Sequence, residues 1–169
     1  MQILPLEPHH EGALHAFLAD FDAAGEPVIP AYFAPRDTPI EQIVEEHRAE
    51  QAGERSAPMV PASTRFAIGD DGAVLGVYNA RHVLNDRLRV FGGHVGFSVR
   101  PSARGQGVAT QLLRHAIGLL RGLGTTSILV TCDPTNIASA RVIERCGGVL
   151  KDRGYSDEHG HEICRYWIT

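Results

Sequence analysis

Val99-Arg100-Pro101-Ser102-Ala103-Arg104-Gly105-Gln106-Gly107-Val108-Ala109-Thr110 is the stretch on which the reading of this chain turns. Before it, Val95, Phe97 and Val99 alternate with His94, Gly96 and Ser98, the two-residue period of a strand with one apolar and one polar face. Pro101 has no amide hydrogen to give a ladder and stops the strand. After it, Val108, Leu112, Ala116, Leu119, Leu120 and Leu123 trace the apolar stripe of a helix that Gly122 and Gly124 end. A strand therefore passes into a helix through a short turn carrying Gly105 and Gly107. The first amides of a helix have no intrahelical acceptor. The helix dipole adds partial positive charge at the same end, so a phosphate is held there favourably. Gly105 and Gly107 let the backbone approach a ligand with no Cβ between, and tolerate positive φ. Arg104 offers a planar fork to phosphate oxygens, and Ala109 is small where a ligand must lie close.

Two common nucleotide-binding patterns fail on this turn. The phosphate loop GxxxxGK[ST] is absent, and GxGxxG breaks because Gly105-Gln106-Gly107 is followed by Val108-Ala109-Thr110. What stands is Arg-x-x-Gly-x-Ala over Arg104 to Ala109, which resembles the pyrophosphate-binding signature of the GNAT superfamily of N-acetyltransferases. The preceding Phe97-Ser98-Val99-Arg100-Pro101 fits, since that family sets its coenzyme strand just before the loop. Asn136-Ile137-Ala138-Ser139, followed by Ile143-Glu144-Arg145-Cys146-Gly147, resembles the family's later segment, in which an Asn begins a helix after the next strand. The resemblance covers residues 64–168 and is strongest over 93–148. Gly92 to Pro101, Val130-Thr131-Cys132-Asp133 and Arg165-Tyr166-Trp167-Ile168 are similar to a subgroup of bacterial predicted acetyltransferases.

The resemblance implies an α+β fold of three layers, α/β/α, with a mixed, mostly antiparallel central sheet of roughly six or seven strands and about four helices. It implies acetyl-CoA as cosubstrate, no metal, and an amine acceptor that is a small molecule or a protein. Main-chain groups of Phe97 and Val99, with Ser98 between them, would pair with the pantetheine arm as if it were an added strand. The amides of Arg104, Gly105, Gln106, Gly107, Val108, Ala109 and Thr110 would hold the pyrophosphate, and Asn136 and Ser139 would lie near the arm. Asn136 also reads as a residue that satisfies backbone donors at a helix start. The Val99 amide would donate to the oxyanion as the amine attacks the thioester carbonyl in a ternary complex.

One departure bears on mechanism. Many members of the family carry Tyr where this chain has Ile143, which cannot protonate a leaving thiolate; Cys132, Tyr78 and Tyr155 are the alternative donors. For the base, His94 on the polar face of the coenzyme strand is the first candidate, because imidazole titrates near working pH. It equally reads as a hydrogen-bonded structural histidine. Asp133 reads as a base or as a helix cap before Pro134, and Arg81-His82 as either facing the acceptor or solvated. Tyr32 and Phe33, in a long loop, would line the acceptor pocket or pack into the core. The missing Tyr also supports a second class of function, an acyl-CoA-binding module or sensor with weak chemistry.

The rest of the chain frames this unit. Residues 2–6 read as a strand, 10–21 as a helix with Leu14, Phe17, Leu18 and Phe21 at helical spacing, and 27–39 as a loop. Thr38 and Pro39 read as cap and first position of a second helix ending near Gly53. Residues 64–68 and 74–83 read as strands joined across Asp70-Asp71-Gly72, and 85–89 as a polar connection. Residues 127–131, 149–151 and 162–168 read as strands, the last two around a turn at 157–160. No linker or repeat divides the chain, so residues 1–169 are expected to form one domain. A net charge of −4 with scattered basic residues gives no face for nucleic acid, and no apolar run is long enough to span a membrane. Three cysteines without paired spacing read as reduced thiols, and neither His9-His10 nor His159-x-His161 reads as a metal site, so the expected setting is the cytoplasm. Monomer and homodimer both stay open.

Overall fold

The computed structural model describes residues 1–28, 38–156 and 160–169. β1 (Gln2–Leu4), β2 (Ala62–Ile68), β3 (Val74–Arg81) and β4 (Val95–Val99) form an antiparallel sheet in that order. β5 (Ile128–Cys132), β6 (Val149–Ser156) and β7 (His161–Ile168) form a second antiparallel sheet, ordered β5-β7-β6. Five α-helices accompany them: α1 (Glu11–Ala24), α2 (Ile40–Ala52), α3 (Asp86–Val90), α4 (Val108–Gly122) and α5 (Ile137–Arg145).

Strand alternation divides the core into two layers. Phe66, Val74 and Val77 pack with Leu14, Phe17, Phe21, Ile40 and Ile43 of α1 and α2. Tyr78, Ala80 and Val95 pack on the opposite face with Leu112, Leu113 and Leu120 of α4, and this layer runs on to Ile128, Val130, Ile143 and Tyr166. Leu112, Leu113 and Leu120 are fully buried, each contributing roughly 1.5–3 kcal/mol of transfer free energy. The helix lies very close to the sheet at Gly76, where an added Cβ would stand 2.7 Å from Ser98 O and 2.9 Å from a Leu112 methyl. This is the expected α/β/α arrangement, with seven strands divided between two sheets.

Several boundaries differ from the sequence reading. Where 85–89 read as a polar connection, Asp86–Val90 form α3, because the Asn85 side chain accepts from Leu88 N at 2.9 Å and Leu88 is buried. Pro39, not Thr38, is the N-cap of α2, and no side chain caps it. Asp133 does not open α5: its Oδ1 accepts from Thr135 N at 2.7 Å in a turn, and the helix starts three residues later at Asn136. β6 runs on to Ser156 through Lys151-Asp152-Arg153, an exposed edge strand whose polar composition hides it from an apolar pattern. Tyr32, Phe33 and residues 157–159 of the closing turn lie outside the described residues.

Candidate active site

The phase of β4 decides which of its main-chain groups are free. Arg81 N donates to His94 O at 2.7 Å at one end of the β3–β4 ladder, and Arg100 N donates to Leu75 O at 3.0 Å at the other. Between these limits the even-numbered residues of β4 turn their main-chain groups toward β3. By the alternation of an antiparallel pair, the amides and carbonyls of Val95, Phe97 and Val99 point away from it, toward β5.

Strand β5 does not take them up. The β4–α4–β5 connection is the crossover form that usually brings two strands side by side, yet β4 and β5 belong to different sheets. They touch at one end only. His94 N donates to Leu129 O at 2.7 Å, Leu129 N donates to His94 Nδ1 at 2.9 Å, and Gly92 N donates to Thr131 Oγ1 at 3.1 Å. Gly93 makes this junction possible: its φ is 59°, and a Cβ there would lie 2.5 Å from Leu129 O. Beyond the junction the seam opens, leaving β4 with an edge able to accept an added strand.

The glycine turn stands at the open end. Gly105 and Gly107 both have positive φ, 76° and 81°, and nothing lies within 4 Å of a Cβ built at either. Gly107 is the N-cap of α4, and the first helical bond runs from Gln111 N to Gly107 O at 3.1 Å. None of the amides of Gly105, Gln106, Gly107, Val108, Ala109 and Thr110 donates to an acceptor among the described residues. The Arg104 amide is not among these free donors. It donates to Pro101 O at 3.3 Å, because Pro101, Ser102 and Ala103 wind one turn of 3-10 helix.

The Arg104 side chain is engaged as well, by a residue that nothing local in the sequence announces. Its Nη1 and Nη2 donate to the two carboxylate oxygens of Glu26 at 3.0 and 2.6 Å, and its Nε donates to Val99 O at 3.3 Å. Hydrogen bonding from this guanidinium holds the Glu26 carboxyl below its ordinary range. Just before the turn, Asp20 of α1 accepts from Arg100 Nε at 2.9 Å, Ser102 N at 3.1 Å and Ser102 Oγ at 2.6 Å. Those bonds bring the Asp20 carboxyl down to about 2. Helix α1 and the residues after it thus brace the phosphate turn from the far side of the sheet.

Asn136 acts as the N-cap of α5, its Oδ1 accepting from Ser139 N at 3.0 Å. The backbone-satisfying role is the one seen, and it ties Asn136 and Ser139 together on the first turn of the helix. Ile143 is fully buried, and a Cβ on Gly148 would stand 2.4 Å from its methyl. Of the alternative donors, Tyr78 is fully buried with its hydroxyl 2.9 Å from His115 Nδ1, and burial pushes it up to about 12. Burial likewise pushes the Cys132 thiol up to about 11. Tyr155 is exposed on the edge strand β6.

His94 sits at the closed end of the seam and is 7% exposed. Because Nδ1 accepts an amide hydrogen, the neutral ring carries its proton on Nε2. Burial first, and the nearby Arg81 and Arg89 cations, hold it below its ordinary pKa. Arg81 is buried, its Nη1 donating to Gly92 O at 3.1 Å and Gly93 O at 3.0 Å, and His82 Nε2 lies 2.9 Å from Ser63 Oγ. Arg81 therefore braces the junction, whereas the half-buried His82 ties the end of β3 to β2. Among the described residues no three His, Cys, Asp or Glu side chains are grouped to hold a metal ion, and no helix is long and apolar enough to cross a membrane.

A strand edge left open beside a helix N-terminus with unpaired amides is an arrangement suited to an extended ligand that ends in a phosphate. The family model for the acetyltransferase (GNAT) domain matches residues 1–149, and the chain belongs to that family. No curated protein matches it. Among solved structures, it is similar to a ribosomal-protein-S5-alanine acetyltransferase from Vibrio fischeri (TM-score 0.72, 13% identity, 98% of this chain and 91% of that one). It is also similar to a GNAT-family acetyltransferase from Streptococcus pneumoniae (0.67, 17%, 99% and 99%). A third is a putative acetyltransferase from Salmonella typhimurium with its cofactor acetyl-CoA (0.65, 16%, 99% and 92%). At these identities the likeness is one of fold.

Proposed function

We propose that the chain moves an acetyl group from acetyl-CoA to an amine by direct attack in a ternary complex. The observation that carries the reading is the run of unpaired amides from Gly105 to Thr110, at the open end of a seam whose β4 edge is also unpaired. The residues fit the coenzyme. The amides of the turn and the α4 dipole suit a pyrophosphate, and the outward amide and carbonyl of Phe97 suit an amide group of a pantetheine arm. Acetyl-CoA supplies the activated thioester; this chain binds it, aligns it and keeps a donor, the Val99 amide, near its carbonyl oxygen. Asn136 and Ser139, at the first turn of α5, border the same opening.

Proton movements follow from the groups present. A leaving thiol with a reference pKa of about 8.5 departs without an acid, and neither Cys132 at about 11 nor Tyr78 at about 12 would give up a proton to it readily. His94 has its Nδ1 lone pair committed to Leu129 and a proton on Nε2, so in this reading it closes the seam and does not act as base. A primary amine, titrating near ~10.4, then reaches the site neutral in proportion to pH.

Neighbours in fold include enzymes named for spermidine and for ribosomal protein S5 alanine, so the acceptor panel should hold polyamines, amino acids and Ala-terminated peptides. The test is release of free thiol from acetyl-CoA against that panel from pH 6 to 10. Turnover is expected for at least one amine, with kcat/KM still rising through pH 9. A plateau set near pH 6–7 that disappears in His94→Gln would restore His94 as the base. Tight coenzyme binding without release for any amine would instead favour the binding module, which the lack of a donor at Ile143 supports.

A further inference from the structure

A second hollow lies beneath the closed end of the seam, away from the phosphate turn, where β4 and β5 begin and β7 ends. Its volume is about 380 Å³, within the ~300–1,000 Å³ range of sites that enclose small molecules. Its lining mixes two chemistries. Trp167, Val83 and Leu84 are apolar, and Arg89, His94, His82, Ser127 and Thr125 are polar.

Two of these groups are unspent donors. His94 Nδ1 accepts from Leu129 N, and its Nε2 hydrogen meets no acceptor among the described residues. The Arg89 guanidinium makes no ion pair there either; only its backbone carbonyl is used, by Arg165 Nη1. None of the lining residues is acidic. Both donors face the open hollow, where an acceptor supplied by a ligand can take them up. One guanidinium with neutral N–H and O–H donors suits a single negative charge, and the Trp167 side suits a short apolar body.

We propose that this hollow binds a small organic carboxylate, its oxygens on Arg89 and His94 Nε2–H and its apolar part against Trp167 and Leu84. The carboxylate is either a part of the acceptor or a separate effector. In both cases it meets the junction that holds β4 to β5, because His94 lines the hollow and closes the seam with the same ring.

Trp167 is the sole tryptophan of the chain, so its fluorescence reports on this hollow alone. Titration of the full chain with phenylacetate and hexanoate is expected to give a saturable change. Phenylacetamide, hexanamide and inorganic phosphate at equal concentrations should give none. Arg89→Gln, an exposed position, should weaken the carboxylates at least fivefold while its thermal unfolding and its acetyl-CoA affinity stay those of the parent. Ligand-observed saturation-transfer NMR on the same samples covers a fluorescence change too small to read. No saturation by either method, an equal response to the amides or to phosphate, or an unchanged affinity in Arg89→Gln would overturn the assignment. Since acetyl-CoA binding is measured separately, such a failure leaves the transferase reading standing, and loss of coenzyme binding leaves this one. Competition between the carboxylate and an active amine would mark the acceptor as its source; binding alongside the amine would mark an effector.

Discussion

Glu50 shows what a single buried charge does in this fold. It lies 4% exposed on α2, and Asn79 Nδ2 donates to its Oε2 at 3.3 Å and to Thr64 Oγ1 at 3.1 Å. Burial raises its carboxyl above the ordinary value, against the opposing pull of Arg55 and Arg81. A carboxyl raised in the folded state binds more protons there than in the unfolded chain. Stability from this group is therefore present at acid pH and lost as pH rises from the unfolded value through the folded one. Glu50→Gln keeps an acceptor for Asn79 and removes the charge. Its unfolding midpoint should lie above that of the parent at pH 7, with the gap closing toward pH 4. A variant that is less stable at pH 7, or a gap that does not change with pH, would show that the charge is well paired. The residue was not singled out from the sequence, because a lone Glu in a helix carries no sign of what the helix is laid against.

At the scale of elements, the link between α1 and the phosphate turn stands out. The place of Arg104 in the turn suggested a phosphate ligand; that it holds Glu26 in the free protein was not legible, since the two are 78 residues apart. The pair is close to half exposed on both sides, and such pairs are worth only ~0–1 kcal/mol. A phosphate can displace the carboxylate at little cost. Glu26→Gln should then tighten acetyl-CoA by up to about fivefold, the equivalent of that energy, with the gain shrinking at high salt. Calorimetric titration of both proteins decides it. Unchanged or weaker binding would mean that Glu26 positions Arg104 for the coenzyme and does not compete for it.

Across the described residues, two sheets share the α4 layer, and their backbones are hydrogen-bonded to each other only at the His94–Leu129 junction. A coenzyme lying in the seam would contact both, so its binding should stabilise the molecule as a unit. At a concentration of one hundred times Kd the gain is about 2.7 kcal/mol, which at ~2–4 °C per kcal/mol for a chain of this size raises Tm by roughly 5–11 °C. Thermal unfolding with and without acetyl-CoA measures it. Hydrogen exchange should slow at Phe97, Val99 and the amides of Gly105 to Thr110. Protection confined to the turn would mean that the β4 edge is not used.

Much of the architecture is written in local signals. The alternation of residues 94–99, the stop at Pro101, the glycines of the turn and the stripe of α4 each act within a few residues of themselves, and the sequence alone placed the strand, the turn and the helix. The three layers were expected only through the resemblance to the acetyltransferase family; the stripe of α4 by itself says that the helix is buried on one face. What tertiary structure decided is everything that depends on a distant partner. The junction of the two sheets rests on Gly93 fitting against Leu129 O. Arg104 is held by Glu26, Asp20 braces the turn, and His94 Nδ1 accepts from a backbone amide. These contacts join segments that are up to 82 residues apart, and side chains with ordinary neighbours in sequence give no hint of them. A residue's type states which bonds it can make, and only the fold states which groups come within reach.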